Sequence, residues 1–225
     1  MMRITWLTIL TLVLLAGRLH AGSAEILAKS TVPNGVICVP DCGTGELAIE
    51  LARKSEFLVL ALDPDAAKVA EAKKAAIRTG LLGRRLYVQR GAIDKIPLAD
   101  NYVDLMVLPA TKQADVSEAQ KAEILRVMTP ILGRAVLADA VIEKPELPGS
   151  DWWTHKRHGP GNNLVSKDTI FKLPPIQQYR AMPMFNPAYG AAVTEGGIHI
   201  DIMDWRHQTF DTRKLCGLMY GRNAY

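Results

Sequence analysis

The chain has 225 residues, 48% of them hydrophobic and 22% charged, with a formal net charge of +4. That balance excludes a disordered or collagen-like chain and supplies enough apolar residues for one full core plus a remainder. Arg53, Lys54, Lys73, Lys74, Arg84 and Arg85 spread the basic charge without a cluster or an aromatic stripe, so nucleic acid is not an expected partner, and the three cysteines (Cys38, Cys42, Cys216) neither frame a disulfide scaffold nor give a CxxC pair for zinc.

Residues 1–24 read as an export signal. Arg3 precedes the apolar run ITWLTILTLVLLA from Ile4 to Ala16, and RLHAGSA follows it. These are the positive start, apolar middle and small-residue cleavage region of a secretory peptide, with cleavage after Ala21 or Ala24 and an uncleaved anchor as the alternative. The run is shorter than the roughly 20 residues a membrane-spanning helix needs. The expectation is an exported protein, periplasmic or extracellular, that meets a membrane only through this signal or anchor and has extracytoplasmic protein partners.

From Gly35 to Asp63 the text is GVICVPDCGTGELAIELARKSEFLVLALD. Val36 to Val39 predicts a short buried strand, Glu46 to Lys54 a helix and Phe57 to Leu62 a second buried strand. A glycine turn between strand and helix, with an acid at the end of the next strand, is the opening of a doubly wound nucleotide-binding unit. Its glycines admit a ligand close to backbone N–H groups, and the acid can grip ribose hydroxyls. Pro64 then starts an alanine-rich helix with Val69, Ala72 and Ile77 at helical spacing, and Gly80 stands at its C-terminal cap. Leu86 to Gln89 predicts a third strand, Val103 to Leu108 a fourth, Ser117 to Met128 a helix, and Ala135 to Val141 a fifth strand. Right-handed crossovers make this a parallel sheet of order 3-2-1-4-5. The ligand crevice is then expected between Asp41–Gly45 and Asp63, with Leu108–Thr111 as a third wall.

The stretch from about Val36 to Val141 resembles the class I S-adenosylmethionine-dependent methyltransferase domain, in particular the kind whose motifs read LDLGCGTGELA, LPFPDNSFD and RVLKPGG. The counterparts here are CVPDCGTGELA at Cys38 to Ala48, IPLADNYVD at Ile96 to Asp104 and RVMTPILG at Arg126 to Gly133. The resemblance implies a Rossmann-like fold and S-adenosylmethionine as the small-molecule cofactor. It places the cofactor against Asp41, Gly43, Thr44, Gly45, Asp63, Ala92 and Ile93.

Several of these positions depart from the family's pattern. Val39 stands where the family usually carries an acid, and Asp41 where it carries its first glycine, which allows contact with the cofactor's methionine portion. A second register reads Asp41, Gly43 and Gly45 as the acid and the first two glycines. Asp63 keeps the ribose-binding position, with a helix N-cap beside Pro64 as its plainer role. After the third strand, Ala92 replaces the family's Asp, which approaches the adenine amino group, and Ile93 is left only to pack on the ring. No catalytic base stands out, which methyl transfer tolerates because it depends mainly on alignment of donor and acceptor.

After Val141 the text changes, with residues 144–154 as a proline-bearing linker and 155–225 as β material that includes a strand at Ile198 to Ile202. The sequence WTH, GNN, AVTEGGIHIDI and LMYGRNAY resembles the opening of a PQQ-type β-propeller. Such propellers repeat a unit of about 40 to 50 residues, of which one is present here. His155 with His158, and His199 with Asp201, lack the third and fourth ligands of a zinc site, so no metal is expected. Two function classes follow: a methyltransferase of residues 25–143 acting on an unknown acceptor, and a non-catalytic exported scaffold in which the same fold serves as a platform.

Overall fold

The computed structural model describes residues 22–155, 158–163, 165–170, 192–195, 198–203 and 218–223. Residues 1–21, and with them most of the segment read as an export signal, lie outside this set. Gly22 instead opens a short helix, α1 (Ser23–Leu27), whose Ile26 is fully buried.

The alternation expected from the sequence is present: β1 (Val36–Val39), α2 (Glu46–Lys54), β2 (Leu58–Asp63), α3 (Ala66–Arg78), β3 (Leu86–Arg90), β4 (Leu105–Leu108), α4 (Glu118–Val127) and β5 (Arg134–Leu137). The helices begin and end where local chemistry dictates. Asp65, not Asp63, caps α3 by accepting from the Ala67 N–H at 2.8 Å, and Gly80 follows its last turn at φ +68°. Ser117 and Gln120 form a capping box at the start of α4.

One expected element divides in two. Ala135–Val141 is not a single strand: β5 ends at Leu137, Ala138–Ala140 turn the chain, and β6 (Val141–Glu143) returns antiparallel to β5. The turn is closed by the Leu137 N–H donating to the Ala140 carbonyl at 2.9 Å. The sheet therefore has six strands in the order β3-β2-β1-β4-β5-β6, the first five parallel. Three further strands, β7 (Ala192–Glu195), β8 (Ile198–Met203) and β9 (Leu218–Asn223), form a separate antiparallel sheet, with β8 on the strand expected at Ile198.

Both faces of the six-stranded sheet are buried, as a parallel sheet requires. Alternate residues of one face (Ile37, Val39, Val59, Ala61, Val88, Val107) pack with α1, α2 and α3. Those of the other (Cys38, Leu60, Leu62, Met106, Ala135) pack with α4 and with Ile93 and Ile96. Cys38 is the core residue its sequence context suggests, and burial pushes its thiol up to about 12. With both faces covered, a ligand reaches this sheet at its strand ends.

Candidate functional site

The crevice at the carboxyl ends of β1 and β2 is held by one carboxylate. Asp63, 1% exposed, is the last residue of β2. Its Oδ2 accepts from the Gly43 N–H at 3.0 Å, and its Oδ1 from the Asp65 N–H at 2.9 Å. Its backbone carbonyl accepts from the Gly91 N–H at 3.1 Å, and the neighbouring Leu62 carbonyl accepts from the Cys42 N–H at 2.8 Å. The chain after β1, the end of β2 and the chain after β3 are thereby drawn together around Asp63.

The loop's conformation explains its glycines. Gly43 and Gly45 lie at φ +57° and +83°, where side chains are disfavoured. A Cβ on Gly45 would come within 2.9 Å of the Ala72 Cβ of α3, so this residue also permits the α2–α3 approach, whereas the space beside Gly43 is open. Asp41 adopts φ +54°. Its backbone is thus in the left-handed region natural to glycine, which favours the register that sets Asp41 at the first glycine position; Asp tolerates it better than most residues. Thr44 is exposed between the two glycines.

Past β3 the expected residues part ways. Ala92 is half-buried and offers only its backbone, its carbonyl accepting from the Lys95 N–H at 3.2 Å. Ile93 turns into the core with Leu60, Leu62 and Ile96. At Leu108–Thr111 the Thr111 N–H donates to the Leu108 carbonyl and the Thr111 carbonyl accepts from the Ala138 N–H, which locks the end of β4 to the β5–β6 turn.

The crevice is acidic. The Asp41 residue is exposed, yet its carboxyl is pushed above the usual range, chiefly by partial burial and then by Asp63. Asp94 adds to that rise, and Lys68 opposes it. Neither Lys68 nor Asp94 stood out in the sequence. Lys68 had a visible signal, since a lysine in the first turn of α3 runs against the helix dipole. Burial and Asp63 hold the Cys42 thiol up at about 11, so it is neutral and no nucleophile at ordinary pH.

Away from the crevice, His158 Nε2 meets Asp151 Oδ2 at 2.6 Å, and Asp151 also accepts from the Trp152 and Lys167 N–H groups. The pair closes a surface loop. Among the described residues, no group of three or more His, Cys, Asp or Glu is placed to hold a metal ion, and no helix is long and apolar enough to cross a membrane. The side chains of His199 and Asp201 lie outside the described residues.

Residues 41–133 match the family model described as a methyltransferase domain. Over this segment, less than half of the chain, the protein is similar to methyltransferase domains. Its match begins at the Asp41 turn and ends before β5, so it contains every cofactor position named above. Among solved structures, the chain is similar to a protein assigned as an S-adenosyl-L-methionine-dependent methyltransferase from Methanococcus maripaludis. Identity is 26% over 51% of this chain and 52% of that one, with a TM-score of 0.46. It is similar also to the cyclase SpnF (24% identity, 51% and 42%, TM-score 0.45). A third is geranyl diphosphate methyltransferase in complex with S-adenosylmethionine (15%, 51% and 46%, TM-score 0.45). The chain spans about half the length of these structures. No curated protein matches it.

Proposed function

We propose that the methyltransferase domain binds S-adenosylmethionine weakly and presents its methyl group to an acceptor that nothing in the chain identifies. The observation that carries this reading is the Asp63 carboxylate at the end of β2, bound to the N–H of the glycine loop. Each of its oxygens has a second lone pair for a ribose hydroxyl, and the open space beside Gly43 lets a ligand lie against the backbone. Ala92 supplies no side-chain acceptor for the adenine amino group, and Asp41 adds bulk and a negative charge where the family's glycine makes room for the methionine carboxylate.

Titration calorimetry of S-adenosylmethionine tests the reading. The wild-type chain should bind only in the range above micromolar, and Asp41→Gly with Ala92→Asp should tighten binding about tenfold, the worth of one regained hydrogen bond to a charged group. Silence from both folded proteins at millimolar ligand would sink it. The non-catalytic scaffold would then be the better account.

Export belongs to the same proposal and is supported by the run Ile4–Ala16. Lys54 Nζ donates to the buried Ser23 hydroxyl at 2.8 Å, and Ile26 N–H to the Gly22 carbonyl at 3.1 Å. Cleavage after Ala21 leaves these contacts whole, whereas cleavage after Ala24 removes them.

A further inference from the structure

The crevice contains a carboxylate that the fold does not use. Among the described residues, no hydrogen bond or ion pair is made by the Asp41 side chain, which stands exposed two residues from the Gly43 N–H that Asp63 holds. Its left-handed backbone is a conformation in which glycine costs nothing, so the acid is not there for the turn. We propose that Asp41 makes this site select for positive charge on its ligand, so that S-adenosylmethionine binds more tightly than its uncharged thioether product, S-adenosylhomocysteine. This inference rests on the cofactor reading above.

The two ligands share adenosine, ammonium and carboxylate. Whatever Asp41 does to the shared parts, including its repulsion of the carboxylate, cancels in the comparison. What remains is the sulfonium charge, present in the donor and absent from the product. On the cofactor reading, the ligand lies along the glycine loop, which joins Asp63, through the Gly43 N–H that it holds, to the left-handed turn at Asp41. A cationic sulfur held there would sit in the field of Asp41, with Asp63 and Asp94 adding to the negative charge around Asp41 and Lys68 opposing it. A unit charge roughly 8 Å from a carboxylate at a half-wetted surface gives a preference on the order of fivefold. The site would then hold the fresh donor more tightly than the spent product.

Protonation of Asp41 removes the charge, so the preference should fade as pH falls through the raised range of its carboxyl. The groups that face it are Asp63 on β2, Asp94 after β3, Lys68 on α3 and the neutral thiol of Cys42.

The test is titration of the full chain with S-adenosylmethionine and with S-adenosylhomocysteine, alongside Asp41→Asn. Asparagine takes a left-handed backbone as readily as aspartate, so the variant should fold, and a thermal melt verifies that it has. If the wild type binds too weakly to measure, both ligands are compared in Ala92→Asp with and without Asp41→Asn. The expected result is about a fivefold preference for S-adenosylmethionine that collapses to near parity in Asp41→Asn and shrinks as salt is added. Binding of both ligands with equal affinity, or a preference that survives Asp41→Asn, overturns the role of Asp41 while leaving the cofactor site intact. Binding of neither ligand by any of these proteins overturns the cofactor reading and this inference with it.

Discussion

Asp63 and Asp104 are both buried carboxylates, 1% and 7% exposed, at opposite ends of the same parallel sheet. Asp63 braces the crevice, whereas Asp104 closes the far end. Its Oδ2 accepts from the Val36 N–H at 2.8 Å and its Oδ1 from the Thr129 hydroxyl at 3.1 Å, which ties the start of β1 to the chain around β4. Gly35 is confined beside it, because any Cβ there would overlap the carboxylate. Burial raises the Asp104 carboxyl, and the two hydrogen bonds only partly restore it. The folded state therefore holds the proton more tightly than the unfolded chain does. Stability from this group is full below its ordinary value of 3.8 and is lost as pH rises through the raised folded value. In urea melts across mildly acidic pH, the wild type should lose stability relative to Asp104→Asn as pH increases; a flat or rising difference would contradict this account. Of these residues, the sequence singled out Asp63, because an acid at a strand end after a glycine turn is a recurring arrangement. Its bond to Gly43 was not readable, since linear spacing of 20 residues does not say which N–H a carboxylate meets. The departure of Ile93 into the core was hidden for the same reason.

At the scale of elements, the loop IPLADNYVD from Ile96 to Asp104 is the clearest case of a motif whose meaning is structural. Arg126, in the last turn of α4, gathers it by donating to the carbonyls of Ile96 and Leu98 at 3.1 and 3.0 Å and to Asp100 Oδ1 at 2.6 Å. Glu123, one turn earlier, pairs with Arg126 and accepts from the Ile96 N–H at 2.7 Å. The hydrogen bonds from Arg126 hold the Glu123 carboxyl below the usual range, against some burial. A lysine cannot reproduce this fork, so Arg126→Lys should cost about 2 kcal/mol in a urea melt through lost bonds to backbone and charge. A cost within error of zero would mean that the loop holds itself. The helices and most strands were legible because their periods are strong and their boundaries carry Gly, Pro or Ser. The β5–β6 turn was not: Ala138, Asp139 and Ala140 include neither Gly nor Pro, and the segment reads as one apolar run. What turns it is tertiary. Asp139 Oδ1 accepts from the Gln113 N–H at 2.9 Å, and Ala138 N–H donates to Thr111, both across the sheet end.

For the whole molecule, the question is where the unit built on the six-stranded sheet ends. Residues 144–154 read as a linker, yet Lys144 is only 8% exposed. Its Nζ donates to the Met128 carbonyl at 2.9 Å and to Asn101 Oδ1, and its own carbonyl accepts from the Ile131 N–H at 2.9 Å. Lys144 therefore satisfies carbonyls left open beyond the end of α4, and burial lowers its pKa in doing so. Both apolar clusters, from Ile26 to Ile142, lie before it in the chain. Cutting after Glu146 should thus leave the urea midpoint of the domain unchanged, because no buried apolar residue of either cluster is removed. Cutting after Ala138 strips β6 from the edge of β5 and leaves the Met128 carbonyl without its ammonium donor. That loss should cost at least 2 kcal/mol, since each buried group left unpaired costs about 1–3 kcal/mol. Should the cut after Glu146 already lower the midpoint by as much, residues beyond 146 would be supporting the domain, and the β-rich remainder would have to be counted part of it rather than a separate unit.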